Sequence, residues 1–297
     1  MQQDRRRTPP SSSRGLWACV GLVAMASAGA QQEGAQQPDT PPMAPEADST
    51  PPAEPSKLDI EGALGPIFSF RPEYQGGARS TFGVRPGFFV RWGRFTFTNA
   101  GGFVTRRDDD VARGLAADLV RGERWRMNLS LRTDRGRATS DSAALTGLES
   151  VRRTVRGRLA VTRALDDGWG VSVGASTDLL GRGGGTLVDL GVGKSFPLGA
   201  RASWSFGIAL TAADRRYMDS YFGVTPQQAA VTGYAAYAPG AGLRDVGVGV
   251  SARRLFGTRW VGYVGVSRSQ LLGPARASPL TAQDSSWAIN GGLAWRF

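Results

Sequence analysis

The segment from Trp287 to Phe297 reads Trp-Ala-Ile-Asn-Gly-Gly-Leu-Ala-Trp-Arg-Phe, and its side chains change character at every step. A β-strand sends successive side chains to opposite faces. One face then carries Trp287, Ile289, Gly291, Leu293, Trp295 and Phe297; the other carries Ala288, Asn290, Gly292, Ala294 and Arg296. An apolar face with an aromatic at each end, opposite a small and polar face, suits a strand with lipid on one side and a lumen on the other. The aromatic residue that ends the sequence resembles the C-terminal signal by which outer-membrane barrels are recognised for insertion.

The same period of two recurs upstream. Val84, Pro86, Phe88, Val90 and Trp92 alternate with Arg85, Gly87, Phe89 and Arg91. Trp125, Met127, Leu129 and Leu131 alternate with Arg126, Asn128, Ser130 and Arg132. Similar runs span residues 171–176, 201–210 and 246–251, always with a small, hydroxylated or arginine face opposite the apolar one. Tight turns are expected at Asp166-Asp167-Gly168, Pro197-Leu198-Gly199 and Phe256-Gly257-Thr258, and longer polar connections near 134–152, 213–229 and 270–286. About thirteen strand candidates emerge, but single-chain bacterial barrels have an even number. The expectation is therefore a closed antiparallel transmembrane β-barrel of about twelve strands, with ten or fourteen as close alternatives. The weak run from Gly114 to Val120 is the candidate expected to be false.

Composition excludes several classes of function. There is no histidine, and the single cysteine is Cys19. This removes every His-dependent catalytic triad and most zinc chemistry. No apolar run of about 18 residues exists to cross a bilayer as a helix. A membrane protein of this composition must then be a barrel. The rival is a soluble β-sandwich, which produces the same alternation with its large residues inward. Against it, the polar faces are rich in Gly, Ala and Ser, and aromatics recur at strand ends: Trp92, Trp125, Trp169, Trp260, Trp287 and Trp295.

The chain divides into three parts by composition. In residues 1–30, Arg5, Arg6, Arg7 and Arg14 precede an apolar core from Leu16 to Ala28, and Ala28-Gly29-Ala30 fits a small-x-small cleavage site. A signal peptide cut after Ala30 is expected. Residues 31–57 are rich in Gln, Pro, Ala, Glu, Ser and Thr, a composition predicting a disordered periplasmic linker. Residues 58–297 hold the barrel.

No catalytic, cofactor-binding or metal-site residue is predicted, and no cofactor. Gly193-Lys194-Ser195 ends like a phosphate-binding loop, but the position that needs the first glycine holds Val188. Gly183-Gly184-Gly185 reads as a hairpin loop. Asp108-Asp109-Asp110, beside Arg106 and Arg107, reads as a solvated charge run rather than an oxygen site for a divalent cation. The formal net charge of +11 raises nucleic acid as a partner, but the arginines form no single stripe. They suit an anion-favouring pore or the phosphates of lipopolysaccharide better.

Several stretches carry a family likeness. Tyr217-Met-Asp-Ser-Tyr-Phe-Gly-Val-Thr225 is followed by Gln227-Gln228-Ala229 and by Tyr237-Ala-Pro-Gly-Ala-Gly-Leu-Arg-Asp245. Leu271-Leu-Gly273 then precedes Ser278-Pro-Leu280, and upstream lie Pro72-Glu-Tyr-Gln-Gly76 and Leu145-Thr-Gly-Leu148. Together they resemble the MltA-interacting protein/OmpV family of outer-membrane proteins, over roughly residues 60–297. The resemblance implies a barrel in the outer membrane of a Gram-negative bacterium. It also implies a scaffold holding a lytic transglycosylase near a penicillin-binding protein. The long Pro-rich linker and the high arginine content depart from the family pattern. Motif residues are expected to shape loops, with Gly223 and Gly273 supplying permissive backbone and Pro226 and Pro279 fixing turns. Two functions follow: a non-enzymatic scaffold, or a passive porin-like channel for small solutes, anions among them.

Overall fold

The computed structural model describes residues 60–103 and 114–297. The expected signal peptide, the linker of residues 31–57 and the Asp108–Asp110 run lie outside the described residues. Among the described residues there are twelve strands: β1 (Ile60–Pro72), β2 (Ser80–Trp92), β3 (Phe95–Thr98), β4 (Gly114–Arg121), β5 (Trp125–Asp134), β6 (Thr154–Ala164), β7 (Trp169–Asp178), β8 (Thr186–Leu198), β9 (Ala202–Ala213), β10 (Gly242–Phe256), β11 (Trp260–Leu271) and β12 (Ser285–Arg296). Each pairs antiparallel with its neighbours in the chain, and β1 pairs with β12 to close the barrel. Closure lets backbone groups pair between strands where lipid offers them no partner.

The count of twelve agrees with the sequence reading, but the strand expected to be false is real. Gly114–Arg121 forms β4, paired with β3 on one side and β5 on the other. Its pattern looked weak because the register shifts between Asp118 and Val120. The neighbours Leu119 and Val120 both face outward there, which breaks the period of two.

Parity settles the two ends. Connections at residues 93–94, 122–124, 165–168, 199–201 and 257–259 are tight and share one end with Ile60 and Arg296. Gly257, at φ 61°, adopts the left-handed conformation that such a turn needs. Long connections at 73–79, 135–153, 179–185, 214–241 and 272–284 occupy the other end, where the chain also leaves β3 at 99–103. Outer-membrane barrels usually place short turns toward the periplasm and long loops outside.

The faces divide as the alternation implies. Leu64, Phe68, Phe82, Val84, Leu129, Leu159, Val188, Ile208, Val264 and Leu293 are exposed on the outer surface. A sandwich would bury these residues; here only lipid can cover them. Trp92, Phe95, Trp125, Phe256, Trp260, Trp295 and Phe297 gather at the short-turn end, while Trp287 sits at the long-loop end. This is an aromatic girdle, heavier on the periplasmic side. Lys194 lies at the same short-turn end, with its Nζ 5.3 Å from the ring centroids of both Trp169 and Phe196. Its stem can follow the apolar wall while the ammonium reaches the interface. Among the described residues no helix is long and apolar enough to span a bilayer. The protein is built to cross a membrane with its strands.

A small apolar core sits inside the lumen. After β3 the chain turns inward through Gly101–Phe103, and Phe103 packs edge-on against Tyr263 at 5.4 Å. Ala63, Ile67, Phe89, Val261 and Ala294 complete the cluster. The small lumen faces make room for it. A Cβ on Gly292 would stand 2.8 Å from the Phe103 ring, and one on Gly87 would overlap that ring.

Candidate functional site

Five long connections meet above the barrel in a packed cap, built around the segment between β9 and β10. Asp214 accepts a hydrogen bond from the Tyr217 amide at 2.8 Å and starts helix α1 (Arg215–Phe222). Thr225 and Gln228 form a reciprocal capping box on helix α2 (Pro226–Thr232), with Pro226 at its first position. A short helix, α3 (Gly273–Arg276), lies in the connection between β11 and β12.

Helix α1 turns its apolar residues down into the mouth. Tyr217, Met218 and Phe222 are buried with Leu187, Ala213, Leu271 and Ala275. Above them, Leu145 and Leu148 pack with Val224 and Leu280, flanked by Tyr74, Tyr234 and Tyr237. Hydrogen bonds join the loops across the opening. Tyr74 donates from its hydroxyl to the Leu280 carbonyl at 3.2 Å, Tyr234 to the Ala144 carbonyl at 3.1 Å, and Tyr237 to the Pro274 carbonyl at 2.9 Å. Ser278 Oγ donates to the Phe222 carbonyl at 2.6 Å and accepts from the Leu280 amide at 3.2 Å.

Tyr217 occupies the centre. Its hydroxyl donates to Gln75 Oε1 at 3.0 Å and accepts from Arg244 Nη1 at 3.1 Å. The guanidinium groups of Arg156 and Arg244 lie 5.5 and 5.4 Å from its ring centroid, and the Tyr221 ring stacks on it at 4.3 Å. Gln75 lies in the connection after β1, Arg156 in β6 and Arg244 in β10, so this one side chain ties three separated segments across the mouth.

Three arginines of the inner wall are paired with carboxylates. Arg156 is fully buried; its Nε donates to Asp134 Oδ2 at 2.7 Å, and its Nη atoms donate to the Gly184 and Gly185 carbonyls. Arg244 pairs with Asp245. Arg158 reaches across Gly174 to Asp189, with Nη2 to Oδ2 at 2.7 Å, and a Cβ at residue 174 would overlap that guanidinium. Arg137, in the connection between β5 and β6, donates to the Tyr221 carbonyl at 2.8 Å.

Burial shifts three groups in the cap loops. Tyr221 is pushed well above the usual tyrosine range, first by burial and then by the nearby Asp134 carboxylate. Tyr74 is raised by burial and by Tyr234. Burial lowers the Arg137 guanidinium.

The two glycine stretches do not form a phosphate site. Gly193-Lys194-Ser195 lies within β8 and pairs with β7 and β9. Gly184 and Gly185 turn their carbonyls to Arg156, and the Gly184 amide donates to Asp178 Oδ2 at 2.8 Å. Such an arrangement receives a cation. Among the described residues no group of three or more Asp, Glu, His or Cys is placed to hold a metal ion.

Every motif stretch singled out in the sequence contributes to this cap. Ser278 bonds the Phe222 carbonyl, which explains why a Ser-Pro-Leu stretch accompanies the Tyr-Phe-Gly stretch. Pro279 sits in the turn closed by the Thr281 amide on the Ser278 carbonyl at 3.0 Å. Gly273 has φ 45°, as expected of permissive backbone. Gly223 does not: its φ is −78°, open to any residue. Space is the constraint there, because a Cβ would overlap the Asp219 carbonyl oxygen. Sequence reading missed Arg156, Arg158 and Phe103 as interior groups. The only available signal was the inward parity of the two arginines.

Comparison with solved structures gives distant likenesses. The outer membrane channel DcaP of Acinetobacter baumannii is 10% identical, with 81% of this chain and 96% of that chain covered and a TM-score of 0.37. An outer membrane channel from Pseudomonas putida F1 is 10% identical, with 84% and 100% covered and a TM-score of 0.41. Among curated proteins, none matches this chain. The model of the MltA-interacting protein MipA family matches residues 64–297, which take in the described barrel from Leu64 onward and every motif stretch of the cap from Tyr74 to Leu280. The chain belongs to the MltA-interacting protein MipA family.

Proposed function

We propose that this protein is a non-enzymatic scaffold that links the outer membrane to murein-remodelling enzymes, holding a lytic transglycosylase and a penicillin-binding protein on its periplasmic side. The family description supports the first partner. The observation that carries the reading is the filled interior. Tyr217 ties together three parts of the mouth, and Phe103 with Tyr263 fills part of the lumen below it. A barrel occupied at two levels is suited to hold partners rather than to pass solutes. The alternative is a passive channel for small, anionic solutes. It is favoured by the inward faces of β9 to β11, where Ser203, Ser205, Ser251, Ser267 and Ser269 present small hydroxyls.

Single-channel conductance in a planar bilayer separates the two. The scaffold predicts a silent wild-type barrel, and pull-down of murein enzymes from an outer-membrane extract. Steady anion-selective conductance by the wild type, without capture of such enzymes, supports the channel and defeats the scaffold.

A further inference from the structure

One part of the long-loop rim has a composition that the cap does not explain. The connection between β7 and β8 begins with Leu179 and Leu180, both exposed. The Leu179 amide donates to the Val155 carbonyl at 2.9 Å, which continues the sheet one step beyond β7. Its side chain lies over the outer wall at Gly157, where a Cβ would stand 3.2 Å from Leu179 Cδ1. The two leucines therefore mark the outer edge of the lipid-facing band.

Five exposed arginines lie in the three chain segments that meet beside that edge. Arg152 and Arg153 precede β6, Arg182 lies in the connection itself, and Arg215 and Arg216 open α1. Arg182 Nη1 donates to the Arg153 carbonyl at 2.9 Å, and Arg216 Nη2 donates to the Gly181 carbonyl at 2.7 Å, so the three segments are joined. The neighbouring carboxylates are mostly engaged elsewhere. Asp178 accepts from Thr154, Leu180 and Gly184, and Asp214 caps α1. Among the described residues, the exposed Asp219 pairs with Arg215 at 3.5 Å.

Guanidinium groups gathered at one rim repel one another unless an anion joins them, and their planar forks match phosphate oxygens. Apolar side chains directly below suit acyl chains. We propose that this rim binds the phosphate groups of an outer-leaflet lipid, which in a Gram-negative outer membrane is lipopolysaccharide. Leu179 and Leu180 contact its acyl chains, and the arginines of the three segments hold its headgroup. The inference is independent of the scaffold role.

The test uses protein purified from outer membranes and reconstituted in phosphatidylcholine nanodiscs. Lipopolysaccharide and its dephosphorylated form are titrated in parallel. R152Q/R153Q/R215Q spares the two carbonyl contacts, and heat-modifiable gel mobility confirms its folding. The variant is expected to bind about tenfold more weakly, the scale of a few exposed charge contacts. The dephosphorylated lipid should lose a similar factor on the wild type, a comparison that needs no variant. Equal binding of the two lipids, or unchanged binding by a folded variant, overturns the proposal. Inorganic phosphate binding as tightly as the lipid would also overturn it, because the ligand would then be a free anion.

Discussion

Removing Phe297 should weaken the closure of the barrel by a predictable amount. The Phe297 amide donates to the Gly62 carbonyl at 3.0 Å, and the Gly62 amide donates back to the Phe297 carbonyl at 2.9 Å. These two bonds extend the pairing of β1 with β12 at its periplasmic end. The ring lies over Gly62, which has no side chain to obstruct it, and stacks on Trp295 at 5.4 Å. Each backbone bond contributes about 0.5–1.5 kcal/mol, and the aromatic pair a similar amount. Deletion of Phe297 should then cost roughly 2–4 kcal/mol. F297A keeps the backbone pair, and lipid is as apolar as the lost ring, so about 1 kcal/mol is expected. The assay is heat-modifiable gel mobility across a urea series after refolding into lipid vesicles. A deletion that unfolds at the wild-type urea concentration refutes the closure argument. Equal loss in F297A and the deletion refutes the role given to the backbone pair.

Three further outcomes are expected. Deleting residues 31–57 should leave heat-modifiable mobility unchanged, since β1 begins at Ile60; loss of the folded band would make the linker part of the fold. R156L should lower stability by about 3–5 kcal/mol, because Asp134 and two glycine carbonyls lose a fully buried partner; an unchanged urea midpoint would contradict this. Tyr74 and Tyr221 should stay protonated above the ordinary tyrosine value of about 10. With folded-state values raised, the cap's contribution is complete below about pH 10 and is lost as pH rises through the folded values. Ultraviolet titration of the folded protein should show at least two of its six tyrosines lagging; six ionising together near pH 10 would count against the buried cap.

The wall of the barrel was legible in the sequence because its rule is local. A period of two, with lipid outside and a crowded lumen inside, assigns each side chain a face from its own position. Trp287 through Phe297 divide as the letters imply, and so do the strands around Val84 and Trp125. Where the local rule is broken, the reading failed: the shift after Asp118 hid β4.

The interior was not legible in this way. The motif between Tyr217 and Thr225 marked the loops that matter, and family likeness placed them in an outer-membrane barrel. Only the tertiary structure shows that those loops interlock. Tyr74 meets the Leu280 carbonyl 206 positions away, and Tyr217 meets Gln75 across 142. Arg156 becomes a buried cation because carbonyls at Gly184 and Gly185 converge on it from another hairpin. The sequence by itself determined which face of each strand meets lipid, since that depends on one residue's parity. Closure of the barrel decided which loops meet and which charges are buried, since those contacts exist only after distant segments are brought to the same mouth.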